Sequence, residues 1–147
     1  MTELARIAAV ITAAAALVAA ALGAWRWWTV APSRAFWIAC RCAQALAVAQ
    51  ALLAGVLFLA GFEPADRLYW LYALLPVAVS FVGEQLRLLS AQTVLDARGL
   101  PDAQAVGRLP EEGQRSVVLA IVRREMGVMA LACLVIAFLA LRALGTV

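Results

Sequence analysis

Eight side chains of this sequence carry the types and spacing that chemistry would need. They are Arg41, Gln44, Glu84, Gln85, Arg87, Arg123, Arg124 and Glu125. All fall near one end of long apolar stretches. Glu84 and Arg87 are separated by three residues, so on a helix they share a face. Arg41 lies one to two turns inside the second stretch, and Arg123, Arg124 and Glu125 about two turns inside the fourth. An arginine-carboxylate layer of this kind has two meanings. It can be a polar site that takes an anionic headgroup through the planar fork of arginine, or that carries a proton or ion. It can also be a set of boundary residues that snorkel to water and pair with one another to lock the helices in register. The second meaning is the stronger expectation because the depth is interfacial, where the penalty for a charge is small. Glu84 is then expected to pair with Arg123 or Arg124, and Glu125 with Arg41 or Arg87.

Other reactive types are scarce. Ser80, Ser90 and Cys42 are nucleophile types, but none has an evident base and orienting partner in the sequence. There is no histidine, which removes the commonest general base, haem ligation by His and most zinc sites. No carboxylate lies deep in any apolar stretch, which argues against an aspartyl membrane protease. Cys40 and Cys42 are two residues apart. On a helix they point about 200° apart and do not clasp one ion or each other. With Cys133 they are expected to serve as small apolar packing residues. No cofactor or metal site is expected, and no constellation of residues argues for an enzyme.

The elements that must hold these residues are plain. The chain has 147 residues, of which 66% are apolar, and its mean hydropathy is +0.93. Soluble proteins hold about 45–50% apolar residues. Four stretches, 4–25, 35–62, 67–89 and 117–144, each reach the ~20 residues that cross a ~30 Å hydrocarbon layer. The expected fold class is an all-α membrane protein: a single domain over residues 1–147, built as an up-down bundle of four transmembrane helices. A signal peptide would carry its positive end first. Here Glu3 offsets Arg6, and Arg26 and Arg34 follow the apolar run, so the first stretch is expected to stay as a helix despite Ala21-Leu22-Gly23.

All twelve basic residues are arginines, which together with the alanine richness reads as genome composition. Nine of them, Arg26, Arg34, Arg41, Arg87, Arg98, Arg108, Arg115, Arg123 and Arg124, fall on the side of the first and third loops. Arg6, Arg67 and Arg142 fall on the other. Basic residues mark the cytoplasmic side. Both termini are therefore expected outside a plasma (inner) membrane, with residues 90–116 in the cytoplasm. Interfacial aromatics agree, since Trp and Tyr prefer that depth. Trp25, Trp27, Trp28 and Trp37 would form the inner belt, and Phe62, Tyr69, Trp70 and Tyr72 the outer one.

Pro32 and Ser33 are expected to start the second helix and Pro64 to precede the third, which should run from Asp66 to Ala97 and stop at Gly99. The fourth should start at Pro110, with Glu111 and Glu112 at its positive end. The third is then about 48 Å long, roughly 18 Å more than the hydrocarbon. The excess carries Leu88, Leu89, Val94 and Leu95 on one helix and Val117, Val118, Leu119, Ile121 and Val122 on the other. These are expected to pack together as a stalk or to hold a partner. Ala19/Gly23 and Ala51/Gly55 are small-xxx-small pairs that let helices approach closely. Pro76 is expected to kink the third helix.

The expected role is a structural or accessory subunit of a larger membrane assembly. One alternative is a small oligomeric transporter or channel that uses the charged layer as a gate. Another is a protein that binds or modifies anionic lipid. The expected partners are the bilayer, anionic lipid headgroups, and another membrane protein or further copies of the chain, with no nucleic acid.

Overall fold

The computed structural model describes all 147 residues. It contains five helices and no strand: α1 (Thr2–Thr29), α2 (Arg34–Leu59), α3 (Leu68–Ala97), α4 (Ala103–Gly107) and α5 (Glu111–Leu144). All except α4 are long and apolar enough to cross a membrane.

Local chemistry sets most of the boundaries. The Ser33 hydroxyl accepts the Phe36 N–H (3.3 Å) and so caps the start of α2. The expected span to Phe62 ends earlier, at Leu59. Gly61 takes a left-handed φ of 75°, and the Phe62 N–H returns to the Leu57 carbonyl (2.9 Å) while Gly61 N–H reaches Phe58 (3.1 Å). That is a Schellman ending, and the accompanying apolar contact is Phe62 on Leu57. The same device ends α3. Gly99 has φ 66°, Leu100 N–H donates to the Leu95 carbonyl (3.0 Å) and Gly99 N–H to Asp96 (3.1 Å). Helix α3 begins at Leu68, whose N–H donates to the Asp66 carboxylate (2.9 Å). Helix α4 was not expected from the sequence. Asp102 caps it by accepting the Ala105 N–H at 2.7 Å.

The four long helices form a closed ring. Helix α1 packs on α2 and α5, α3 packs on the same two, and α2 meets α5 across the diagonal. Short connections make α1/α2 and α2/α3 antiparallel. Helix α5 runs antiparallel to both α1 and α3, with Ala143 in one cluster with Ala5 and Val117 in one with Leu95. Small residues allow the close approach. The inward face of α1 is Ala5, Ala9, Thr12, Ala13, Ala16, Ala19, Ala20 and Gly23. A Cβ on Gly23 would stand 2.6 Å from both Ala130 and the Phe36 ring, so that contact admits only glycine. Ala19 and Gly23 are thus used inside the bundle. Ala51 and Gly55 are not, and nothing lies within 4 Å of where a Gly55 Cβ would be.

The core has three parts. One, at the arginine-rich end, joins Phe36, Cys40, Met126, Met129 and Ile136 to alanines of α1 and α2. The second, at the other end, holds Ala5, Ala9, Leu57, Phe62, Tyr69 and Ala143. There the Asp66 N–H also donates to the Thr146 carbonyl (3.1 Å), tying the α2–α3 loop to the last residues. The third is the stalk, where Val94, Leu95 and Val117 are buried and Leu100, Val106, Leu109 and Ile121 cover them. Leu88, Leu89 and Val118 face outward. Pro76 lies buried within a continuous α3, where its carbonyl accepts the Ser80 hydroxyl at 2.8 Å.

Candidate functional site: the charged layer

The expected single layer of charges is two separate arrangements. The first is centred on Glu84. Its carboxylate accepts four hydrogen bonds: two from Arg41 (2.7 and 3.3 Å), one from the Gln44 amide (3.0 Å) and one from the Arg87 Nε (3.0 Å). Arg41 also donates to the Gln44 Oε1 at 2.9 Å. Arg41 and Gln44 share a face of α2, and Glu84 and Arg87 share a face of α3, so two i,i+3 pairs interlock across the helix interface. The Arg87 guanidinium also sits 5.5 Å above the Trp37 ring. Every acceptor position of the carboxylate is engaged within the protein. The cluster can fasten α2 to α3 and hold their register. Its carboxylate has no acceptor position left for a substrate, while Arg87 engages Glu84 through its Nε alone.

The second arrangement lies on α5 beside α1. Arg123 and Arg124 are exposed, and neither stands within ion-pair distance of a carboxylate. The Arg123 guanidinium lies 4.9 Å above the Trp27 ring. Both arginines line a hollow of about 430 Å³ with Trp27, Val30, Leu119 and Ala120. Trp27 is also a wall of an adjoining apolar groove of about 620 Å³, between Leu17 and Ala21 of α1 and Gly127, Leu131 and Leu134 of α5. A Cβ on Gly127 would meet the indole at 3.0 Å, so this glycine leaves the space that Trp27 needs.

The expected pairs of Glu84 with Arg123 or Arg124, and of Glu125 with Arg41 or Arg87, do not form. Depth explains it. The Cys40 and Cys133 sulfurs touch at 3.5 Å, which fixes those residues at one level. Arg41 is adjacent to that level, whereas Arg123 precedes Cys133 by ten residues, or about 15 Å of helix. Glu125 is half-buried and forms no ion pair, and Gln85 is exposed outside the cluster.

The remaining expected residues are spread along the bundle. Trp25 and Trp28 are exposed and Trp37 half-buried, packed on Phe36 with ring centres 5.0 Å apart. At the other end Tyr69 is a core residue, 1% exposed and edge-on to Trp70 and Phe62, while Trp70 and Tyr72 are half-buried. Arg142 covers the Tyr72 ring at 5.5 Å.

Two features escaped the sequence reading. Cys40 and Cys133 are both buried and face each other across the α2–α5 diagonal, while Cys42 is exposed. Gln50 is 2% exposed, and both polar atoms of its amide lack a partner in the protein. A signal for Gln50 existed, because it continues the inward spacing Phe36, Cys40, Ala43, Ala47, Ala54 and Leu57.

Fold and site together define a class: an all-helical bundle with four candidate membrane spans, fastened by an interhelical arginine-carboxylate cluster. Comparison with known protein families, characterised proteins and solved structures yields no match.

Proposed function

We propose that this protein is a structural or accessory subunit of a larger membrane assembly, docking another helix against the α2–α3 face at Gly55. The observation that carries this reading is the open small-residue site. Gly55 borders a groove of about 390 Å³ with Ala54, Phe58, Trp70 and Leu74, and its backbone is bare. A partner helix laid there would approach as closely as Phe36 and Ala130 approach Gly23 inside the bundle. The stalk, the other surface with apolar excess, closes mainly on itself through Val94, Leu95 and Val117. The Glu84 cluster serves as a fastener in this reading. A transporter gains less support, because the Glu84 acceptors are engaged and inward positions such as Ala13, Ala47, Pro76 and Ala140 are packed.

The protein sits in the plasma (inner) membrane with both termini outside and the stalk in the cytoplasm. The support is the arginine asymmetry. A phosphatase reporter that works only outside the cytoplasm should be active when fused to the C-terminus. Native mass spectrometry of gently extracted protein should show a larger assembly, and Gly55→Leu should disperse it without unfolding the bundle. A lone monomer in both samples overturns the accessory reading.

A further inference from the structure

We propose that the α1–α5 face is a binding site for one anionic phospholipid, with its phosphate on Arg123 and Arg124 and an acyl chain along the groove above Trp27. This inference is independent of the docking face at Gly55, which lies on α2.

Three observations converge. The first is charge. Arg123 and Arg124 project from adjacent positions into one hollow, without a carboxylate in its lining or an ion-pair partner. Arg41 and Arg87, by contrast, both bond Glu84. An unpaired arginine pair suits a phosphate, which the guanidinium fork meets with two parallel hydrogen bonds.

The second is shape. The groove continues directly from the hollow, sharing Trp27 as a wall. Leu17 and Trp27 are ten residues apart, or about 15 Å of helix, which is half of a ~30 Å hydrocarbon core. The groove is therefore one leaflet deep, with the arginines at its headgroup end. Its walls, Leu17, Ala21, Leu131 and Leu134, are apolar side chains against which an acyl chain packs.

The third is the junction. Trp27 stands where headgroup meets chain, the depth that indole prefers. Arg123 stacked on it at 4.9 Å is held pointing toward the hollow. Gly127 keeps the ring seated.

The test uses the full protein in phosphatidylcholine vesicles that contain a little acyl-chain spin-labelled phosphatidylglycerol, read as the motionally restricted lipid fraction. Restricted phosphatidylglycerol should exceed restricted phosphatidylcholine. Each basic residue near an anionic surface contributes roughly fivefold in affinity. Arg123→Gln with Arg124→Gln should therefore lower the preference by about 25-fold, while Arg115→Gln on the exposed stalk leaves it unchanged. Ala21→Phe, at an exposed position that fills the groove, should also release the lipid with both arginines intact. Equal restriction of the two lipids, indifference to the double variant, or an equal loss on Arg115→Gln overturns the proposal. So does indifference to Ala21→Phe. Displacement by inorganic phosphate would make the hollow a site for free phosphate and overturn the lipid assignment.

Discussion

Arg41 of α2 and Glu84 of α3 are joined by two hydrogen bonds, at 2.7 and 3.3 Å, between residues 43 positions apart in the chain. The pair is flanked by Gln44 and Arg87, which bond the same carboxylate. The Arg41 side chain is 54% exposed and that of Glu84 22%. Exposed pairs contribute little and partly shielded, bidentate ones more.

The Arg41–Glu84 relationship makes a quantitative prediction. Glu84→Gln should lower stability by about 1–2 kcal/mol, less than a fully buried pair would lose, because water reaches Arg41. A double-mutant cycle with Arg41→Gln should return a coupling of about 1 kcal/mol. Chemical unfolding in detergent micelles measures both. A cycle with no coupling would show that the cluster does not fasten α2 to α3.

Gly23 should tolerate nothing larger. Its added Cβ would meet Ala130 and Phe36 at 2.6 Å, and neither is the loose end of a flexible chain. Gly23→Ala should therefore cost about 1–3 kcal/mol through overpacking, against almost nothing for Gly55→Ala, where the space is open. Thermal melts of the two variants in the same detergent compare them directly.

Gln50 should be replaceable at a gain. A buried amide without partners costs about 1–3 kcal/mol. Gln50→Leu keeps the approximate volume and removes the polar atoms, so it should raise stability by about 1–2 kcal/mol. A loss of stability would show that the amide is bonded in the folded protein.

The Cys40–Cys133 contact offers a distance test of the diagonal. In a Cys42→Ser background, iodine should link the two thiols within one chain, since their sulfurs need to close from 3.5 Å to about 2.05 Å. The readout is an intramolecular disulfide by mass spectrometry. Linkage between chains instead would place α2 and α5 differently.

Leu95→Glu reports on the stalk. Leu95 is 8% exposed and packs with Val94 and Val117, so a buried, unpaired charge there should destabilise the protein by about 3 kcal/mol or more. A merely outward-facing leucine would tolerate the change. Proteolysis of the stalk on folded protein distinguishes the two.

Much of this architecture is legible along the chain because its causes are local. The four apolar runs, Ser33 before α2, Gly99 after α3 and Pro110 before α5 act on residues within a turn or two, and the helices start or stop beside them. The early end of α2 is local too. Gly61 and Phe62 carry a Schellman signal that the continuing apolar run concealed. Helix α4 is short enough that Asp102 is its main advertisement.

What sequence alone determined is therefore the helical class, the number of long helices and the charge asymmetry of their ends. Only the tertiary structure decided which helix neighbours which and which charges meet. The physical reason is that these helices are apolar on every side, for lipid and core are chemically alike to an alanine or a leucine. No polar face marks the outside, so azimuth is written only in side-chain size, as on α1, where Ala9, Ala16 and Gly23 turn inward and Ile7, Val10 and Leu17 outward. Relative depth is written only approximately. Ten residues of offset along α5, set by Cys133 meeting Cys40, moved Arg123 away from Glu84, gave the carboxylate to Arg41 and Arg87, and left two arginines free beside Trp27.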